Sequence, residues 1–298
     1  MRTELLNWAY LGEVFFSRMQ GIAFDNPKRN GEYRLIRKLR NVIAVALDGG
    51  ANTGAWSTRL LSDAGSTVKI VCVEPDPWNA AVLRARFEGY SNVSVHEVAL
   101  GSREGTCSFV PGKGYGSGAG YVSQTNSHTG LPIRMTTVAD ICERERISRL
   151  DIIKLDVEGS EISALLGAEK LFRSLSVGTV QVEYNVTWLR EGRRLKDLFE
   201  FVNDLRYVLL AASPFGFIYY PKYGEGLDDF RMRNMILSRE DHAQLLHPIG
   251  PTGRARVEWG GDRSASLPQK LNEGARGNRK SRHTPTDLAM PTRDQRRK

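Results

Sequence analysis

Residues 45–54 read Val-Ala-Leu-Asp-Gly-Gly-Ala-Asn-Thr-Gly, an apolar strand running into an acidic, glycine-rich turn. Glu74, 20 residues past Gly54, closes a second apolar run, Ile70-Val71-Cys72-Val73. A strand, a tight turn and a helix start form a ligand cradle at the carboxyl edge of a parallel sheet. An acid ending the next strand is placed to accept hydrogen bonds from both hydroxyls of a ribose. Asp48, inside the turn, narrows the choice. Its charge would repel a pyrophosphate, and Gly50-Ala51-Asn52-Thr53-Gly54 lacks the Gly-x-Gly-x-x-Gly register of dinucleotide turns. S-adenosylmethionine carries an ammonium, a sulfonium and a ribose but no phosphate, so the acidic rim suits it.

Outward from this stretch, strands and helices alternate. Strands are expected at 42–47, 70–73, 93–98, 106–110, 150–155 and 179–182, and helices at 33–39, 55–61, 78–87, 138–145, 160–172 and 195–205. Short strands at 207–211, 217–220 and 232–237 then follow one another. The pattern predicts a doubly wound, mostly parallel α/β sheet ending in an antiparallel hairpin. Between residues 112 and 120 every second residue is glycine, which predicts a mobile loop.

Four expected strands end in acids: Asp48, Glu74, Asp156 and Glu183. In an open parallel sheet those ends face one crevice, so the acids converge. One such acid is easily a turn former or helix cap; four at one edge point to a site.

Several segments together resemble the FkbM family of S-adenosylmethionine-dependent methyltransferases. They are the 47–54 turn, Val73-Glu-Pro-Asp-Pro77, Asn92-Val-Ser-Val95, Ala99-Leu-Gly101, Ile153-Lys-Leu-Asp-Val-Glu-Gly-Ser-Glu161, Ala164-Leu-Leu-Gly-Ala168, Glu183 and Arg233-Asn-Met235. The resemblance covers roughly 45–238. It implies a class I methyltransferase, Rossmann-like fold and methylation of an oxygen on a sugar, glycan or natural product. Where family members often carry His after the acid of the fifth strand, this chain has Tyr184.

Asp48, with the backbone of Gly50 and Asn52 and the turn residue Gly54, is expected to hold the methionine end of the cofactor. Glu74 is expected on the ribose, Pro75 against adenine, and Glu97 and Val98 at the adenine edge. Transfer to an alcohol needs positioning and a general base within hydrogen-bond reach. Asp156 is the first candidate for that base, then Glu183, then His128 in the loop; Glu158 and Glu161 are supporting candidates. Asp156 with Glu183 could instead hold Mg²⁺. Lys154 alternates with Asp156 along its strand and can pair with a carboxylate. Tyr115, Tyr121, Tyr184 and Trp188 are candidates for an aromatic acceptor wall.

Composition bounds the rest. The chain has 298 residues, of which 41% are hydrophobic, enough for one large domain. Residues 1–44 read as a helical cap, 45–248 as the catalytic domain and 249–298 as a disordered basic tail. From residue 251 onward there are 12 Lys/Arg and 5 Asp/Glu, so the tail holds most of the net charge of +8. The catalytic domain is nearly neutral, and no Asn/Asp-Pro-Pro-Tyr signature stands at the fourth strand; both weaken a nucleic-acid substrate. An idle protein keeping the fold for interaction is a further alternative, against which the four acids argue. Cys72, Cys107 and Cys142 lie far apart in apolar patterns, predicting buried thiols and a cytoplasmic chain. The bulky apolar face of residues 5–19, or the tail, offers a peripheral membrane contact. The same N-terminal helix and the glycine-rich loop are expected to close over the cofactor.

Overall fold

The computed structural model describes residues 26–112, 120–123 and 130–250. The helix expected over 5–19, most of the glycine-rich loop including Tyr115, His128, and the basic tail lie outside the described residues.

Strands form where the apolar runs are. β8 (Leu150–Leu155) is buried at every residue, as a strand covered on both faces must be. β1 (Val45–Gly49), β2 (Lys69–Val73) and β3 (Val93–His96) lie to one side of it. β9 (Val177–Tyr184), β12 (Arg233–Arg239), β10 (Tyr207–Ala212) and β11 (Phe217–Tyr219) lie to the other. The eight-stranded order is β11-β10-β12-β9-β8-β1-β2-β3. β3, β2, β1, β8 and β9 run parallel, while β12, β10 and β11 add antiparallel pairs. Chain direction therefore reverses its progress between β1 and β8, and a crevice opens there at the carboxyl ends.

Helices cover both faces. α1 (Glu32–Leu39), α2 (Ala55–Ala64), α3 (Pro77–Arg86) and α8 (Glu240–Leu246) pack on one. α4 (Val138–Arg144), α5 (Glu161–Leu166), α6 (Glu169–Arg173) and α7 (Leu195–Val202) pack on the other. Their starts are written locally. Asp76 accepts from Trp78 N ahead of Pro77, and Thr137 with Asp140 forms a reciprocal capping box. Leu35, Ile36 and Leu39 of α1 share a cluster with Ala46, Ile70 and Ile236, so α1 packs on the sheet.

The structure redraws some elements. The helix expected over 160–172 is two, α5 and α6, broken at Gly167. A Cβ there would meet the carbonyl oxygen of Gly101 at 2.2 Å. The strand expected over 93–98 stops at His96. The chain then turns into a second sheet of β4 (Ala99–Leu100), β7 (Leu131–Thr136), β5 (Gly105–Val110) and β6 (Tyr121–Ser123), in that order. β1 begins late because Ala44 N and Val45 N donate to Asp151 Oδ2 rather than to a strand partner. The three cysteines are buried free thiols. Among the described residues no helix is long and apolar enough to cross a membrane.

Candidate active site

The turn after β1 is held by its neighbours. Gly50 N and Ala51 N both donate to Val73 O of β2, at 2.9 and 3.1 Å. Gly50 has φ +74°, and a Cβ on it would lie 1.8 Å from the carbonyl oxygen of Asp156. Only glycine permits so close a backbone approach. Gly54 serves differently: at φ +86° it faces Phe87 and Leu83, so its missing side chain lets the turn pack on α3. It does not line the cavity.

Glu74 binds the turn to the end of β2. Its Oε2 accepts from Asn52 N at 2.7 Å and its Oε1 from Asp76 N at 2.9 Å. Burial pushes its carboxyl up to about 7, and those two backbone donors pull the other way. Pro75 and Val98 line the same end of the cavity. Glu97 does not: because the chain bends after β3, its side chain is turned out to Arg84, 2.9 Å away.

At the other end the carboxylates gather around one ammonium. Lys154 Nζ lies 3.0 Å from Asp156 Oδ2 and 4.0 Å from Asp48 Oδ1. The neighbouring acids outweigh burial and raise its proton affinity, so it stays charged. Asp48, expected to face the ligand, is instead fully buried below the cavity floor, where its Oδ2 accepts from Ser57 Oγ at 2.7 Å. Burial raises its carboxyl, against the pull of Lys154. Glu183 lines the cavity and its Oε1 accepts from Asn185 Nδ2 at 2.8 Å. Burial, with the charge of Asp156 next in weight, pushes Glu183 up to about 8. Glu161 has a structural job. It accepts from Val157 N and Gly159 N and so fixes the turn in which Glu158 and Gly159 take positive φ.

The described side chains enclose a cavity of about 350 Å³, within the range of small-molecule sites. It joins Asn52, Glu74, Lys154, Asp156, Glu158 and Glu183. Phe109 and Val122 of the second sheet supply apolar wall, which sequence reading had not assigned. Tyr184 and Trp188 do not. Both are fully buried and pack edge to face at 5.1 Å, with Tyr184 stacked on Phe230, so they are core. Tyr121 lies under the guanidinium of Arg190, 4.4 Å from its ring centre. His128 lies outside the described residues. Among those described, no three His, Cys, Asp or Glu side chains group as metal ligands.

Sequence reading also missed Glu32 and Tyr33, which reach the cavity from α1. Burial pushes Glu32 up to about 7, opposed by Lys154. An acid in a first helical turn is so common that nothing in the sequence marks this one.

Known proteins give the site its setting. The chain is 26% identical over 189 residues to the 2-O-methyltransferase NoeI of Sinorhizobium fredii, covering 58% of this chain and 76% of that one. Among solved structures it is similar to an O-methyltransferase from Bacillus cereus bound to S-adenosylhomocysteine, at 14% identity, TM-score 0.41 and coverage of 72% and 83%. It is also similar to an rRNA methylase from Streptococcus thermophilus, at 10% identity, TM-score 0.39 and coverage of 70% and 93%. The methyltransferase FkbM domain matches residues 48–209, from the buried acid of β1 into β10. That span is more than half of the chain and carries both ends of the cavity, and the chain belongs to the FkbM methyltransferase family.

Proposed function

We propose that this S-adenosylmethionine-dependent methyltransferase acts on a hydroxyl oxygen of a sugar, glycan or natural-product small molecule. One observation carries the reading: Glu183, a half-buried carboxylate raised to about 8, faces the cavity beside Asp156. An alcohol must lose its proton as its oxygen is methylated, and a base with affinity near the working pH does this best. The relative's name, a 2-O-methyltransferase, supports an oxygen acceptor.

The residues fit the cofactor. Gly50 leaves backbone room that a Cβ would fill, and the cavity lining is acidic around a single ammonium. Glu74 retains acceptor capacity for ribose hydroxyls beyond its two backbone donors. When bound, the cofactor supplies an electrophilic methyl on sulfur. The chain does the rest. Asn185 orients Glu183 by donating to Oε1, and Glu183 takes the acceptor's proton on its carboxylate. Lys154 holds Asp156 in place at 3.0 Å, and the charge of Asp156 keeps the proton affinity of Glu183 high. Phe109 and Val122 keep water from one wall, which strengthens these charges.

The test is incubation of the full chain with methyl-labelled S-adenosylmethionine and a panel of free monosaccharides, oligosaccharides and an extract of the host. Label in an alkali-stable methyl ether supports the reading. Label only in alkali-labile esters, in amines or in nucleic acid overturns it.

A further inference from the structure

We infer that Glu32, contributed by α1 from outside the matched FkbM residues, is the cavity carboxylate that receives the ammonium of the cofactor's methionine arm. The inference rests on the cofactor reading above and extends it to a residue N-terminal of the family match at 48–209.

Asp48 is the acid that sequence alone would choose for this task. It is fully buried below the floor, accepts from Ser57 and does not line the cavity. Asp156 lines the cavity but is already paired to Lys154 at 3.0 Å. Glu74 stands at the opposite end, with Asn52 and Asp76. Glu32 lines the cavity, is 7% exposed, accepts one hydrogen bond from Gln181 with acceptor capacity to spare, and its electrostatic neighbours are Lys154, Asp156 and Asp48. It therefore sits at the end away from the ribose acid, where the amino-acid arm must go if Glu74 holds the ribose. Lys154 alone does not let Glu32, Asp48, Asp156 and Glu183 all ionise, and a ligand ammonium lets Glu32 ionise without adding net negative charge to the group.

The position of Glu32 is built rather than incidental. Gly31 adopts φ +89° with no room for a Cβ, which would lie 2.8 Å from Ala212 Cβ and 2.9 Å from Ser213 N. Asn30 Oδ1 accepts from Glu32 N at 3.0 Å, and Arg34 donates to Pro214 O. α1 is thus clamped to the end of β10, with Leu35, Ile36 and Leu39 in the core. The titratable groups facing Glu32 are Lys154 from β8, Asp156 just past its end, Asp48 from β1, and Tyr33 beside it on α1. Held up to about 7 by burial, Glu32 keeps part of its proton at neutral pH. A ligand ammonium would displace that proton to the buffer.

The experiment is calorimetry of the full chain with S-adenosylmethionine, S-adenosylhomocysteine and methylthioadenosine, the last of which keeps the nucleoside but lacks the amino-acid group. Glu32→Gln should weaken the first two by about tenfold and leave the third unchanged. Glu32→Asp should recover part of the loss. In wild type, titrations in buffers of different ionisation heat should show more proton release with S-adenosylhomocysteine than with methylthioadenosine. If Glu32→Gln fails to fold, Glu32→Asp carries the test: a smaller selective loss for the two amino-acid ligands, with less differential proton release than wild type, supports the role, and wild-type behaviour on both counts overturns it. Equal weakening of all three ligands, unchanged affinity for all three, or equal proton release overturns the role of Glu32. A wild-type chain that binds methylthioadenosine and S-adenosylhomocysteine alike also overturns it. Failure to bind any of the three would overturn the cofactor reading itself, and this inference with it.

Discussion

A Cβ on Gly50 would stand 1.8 Å from the carbonyl oxygen of Asp156. Asp156 N also donates to Gly49 O at 3.0 Å. The turn after β1 and the turn after β8 therefore meet backbone to backbone, joining the Glu74 end of the cavity to its acidic end. Neither partner is a side chain that can swing aside. Gly50→Ala adds the cost of a left-handed β-carbon to a backbone clash, on the order of 2–4 kcal/mol together. Gly54→Ala shares the strained φ but meets only side-chain atoms of Phe87, Leu83 and Arg86, so about 1–2 kcal/mol is expected. Urea unfolding of both variants checks the order; equal losses would mean the Gly50 contact yields.

Glu74 has two tasks, and substitutions should separate them. Its carboxylate stitches Asn52 N and Asp76 N and offers remaining lone pairs to a ribose. Glu74→Ala should weaken S-adenosylhomocysteine binding by on the order of 1.5–3 kcal/mol, as for a lost charged acceptor. It should also lower the melting temperature, because two backbone donors lose their partner. Glu74→Gln keeps one acceptor oxygen and should lose less on both counts. Full affinity in Glu74→Ala would move the ribose elsewhere.

These outcomes bear on what could be read from residues alone. β8 was legible to the residue, because Leu150, Ile152, Ile153 and Leu155 outweigh Asp151 and Lys154 in a short stretch bounded by polar residues. The acids at the strand ends were legible as a set, since a parallel sheet brings its carboxyl ends to one crevice whatever the loops do. Their individual roles were not. Asp48 and Glu183 look equivalent as strand-end acids, yet one lies below the floor and the other on the wall. Side-chain depth depends on which helix covers the strand. The second sheet was hidden because β7 carries Pro132 and Arg134 and its partners are separated by the glycine-rich stretch. Tyr184 and Trp188 read as candidates for an acceptor wall, but the 3₁₀ segment Val186–Glu191 folds Trp188 back so that its Nε1 donates to Glu183 O.

The buried acids also set how stability depends on pH. Glu32 and Glu74 are raised to about 7 and Glu183 to about 8, above their unfolded value of 4.5. The folded chain then holds more protons than the unfolded chain between pH 4.5 and about 8. Stability falls as pH rises through that window. Asp241 acts oppositely: its pairing with Arg239 lowers it to about 2, so its contribution is lost only as pH falls towards that value. Urea unfolding of ligand-free protein should give higher stability near pH 5 than near pH 8. A saturating cofactor should flatten the difference by favouring the ionised acids, and a ligand-free profile that rises to pH 8 would contradict the picture.

The division of labour between Glu183 and Asp156 gives the most discriminating measurement. Glu183 accepts a proton only when ionised, so single-turnover rate should climb with pH to a plateau above about 8, its raised value. Glu183→Gln should cut that rate by roughly 10²–10⁴ with cofactor affinity nearly unchanged. Asp156→Asn does something different. It removes the negative charge that helps hold the Glu183 proton, and it frees the Lys154 ammonium 3.0 Å away. The midpoint of the pH–rate curve should therefore move to lower pH while a substantial plateau rate survives. Sequence alone favours Asp156 as base, because β8 lies at the crevice centre; its ion pair with Lys154 is what argues for Glu183. If Asp156→Asn abolishes turnover at every pH and Glu183→Gln leaves it near wild type, Asp156 is the base and Glu183 only shapes its field.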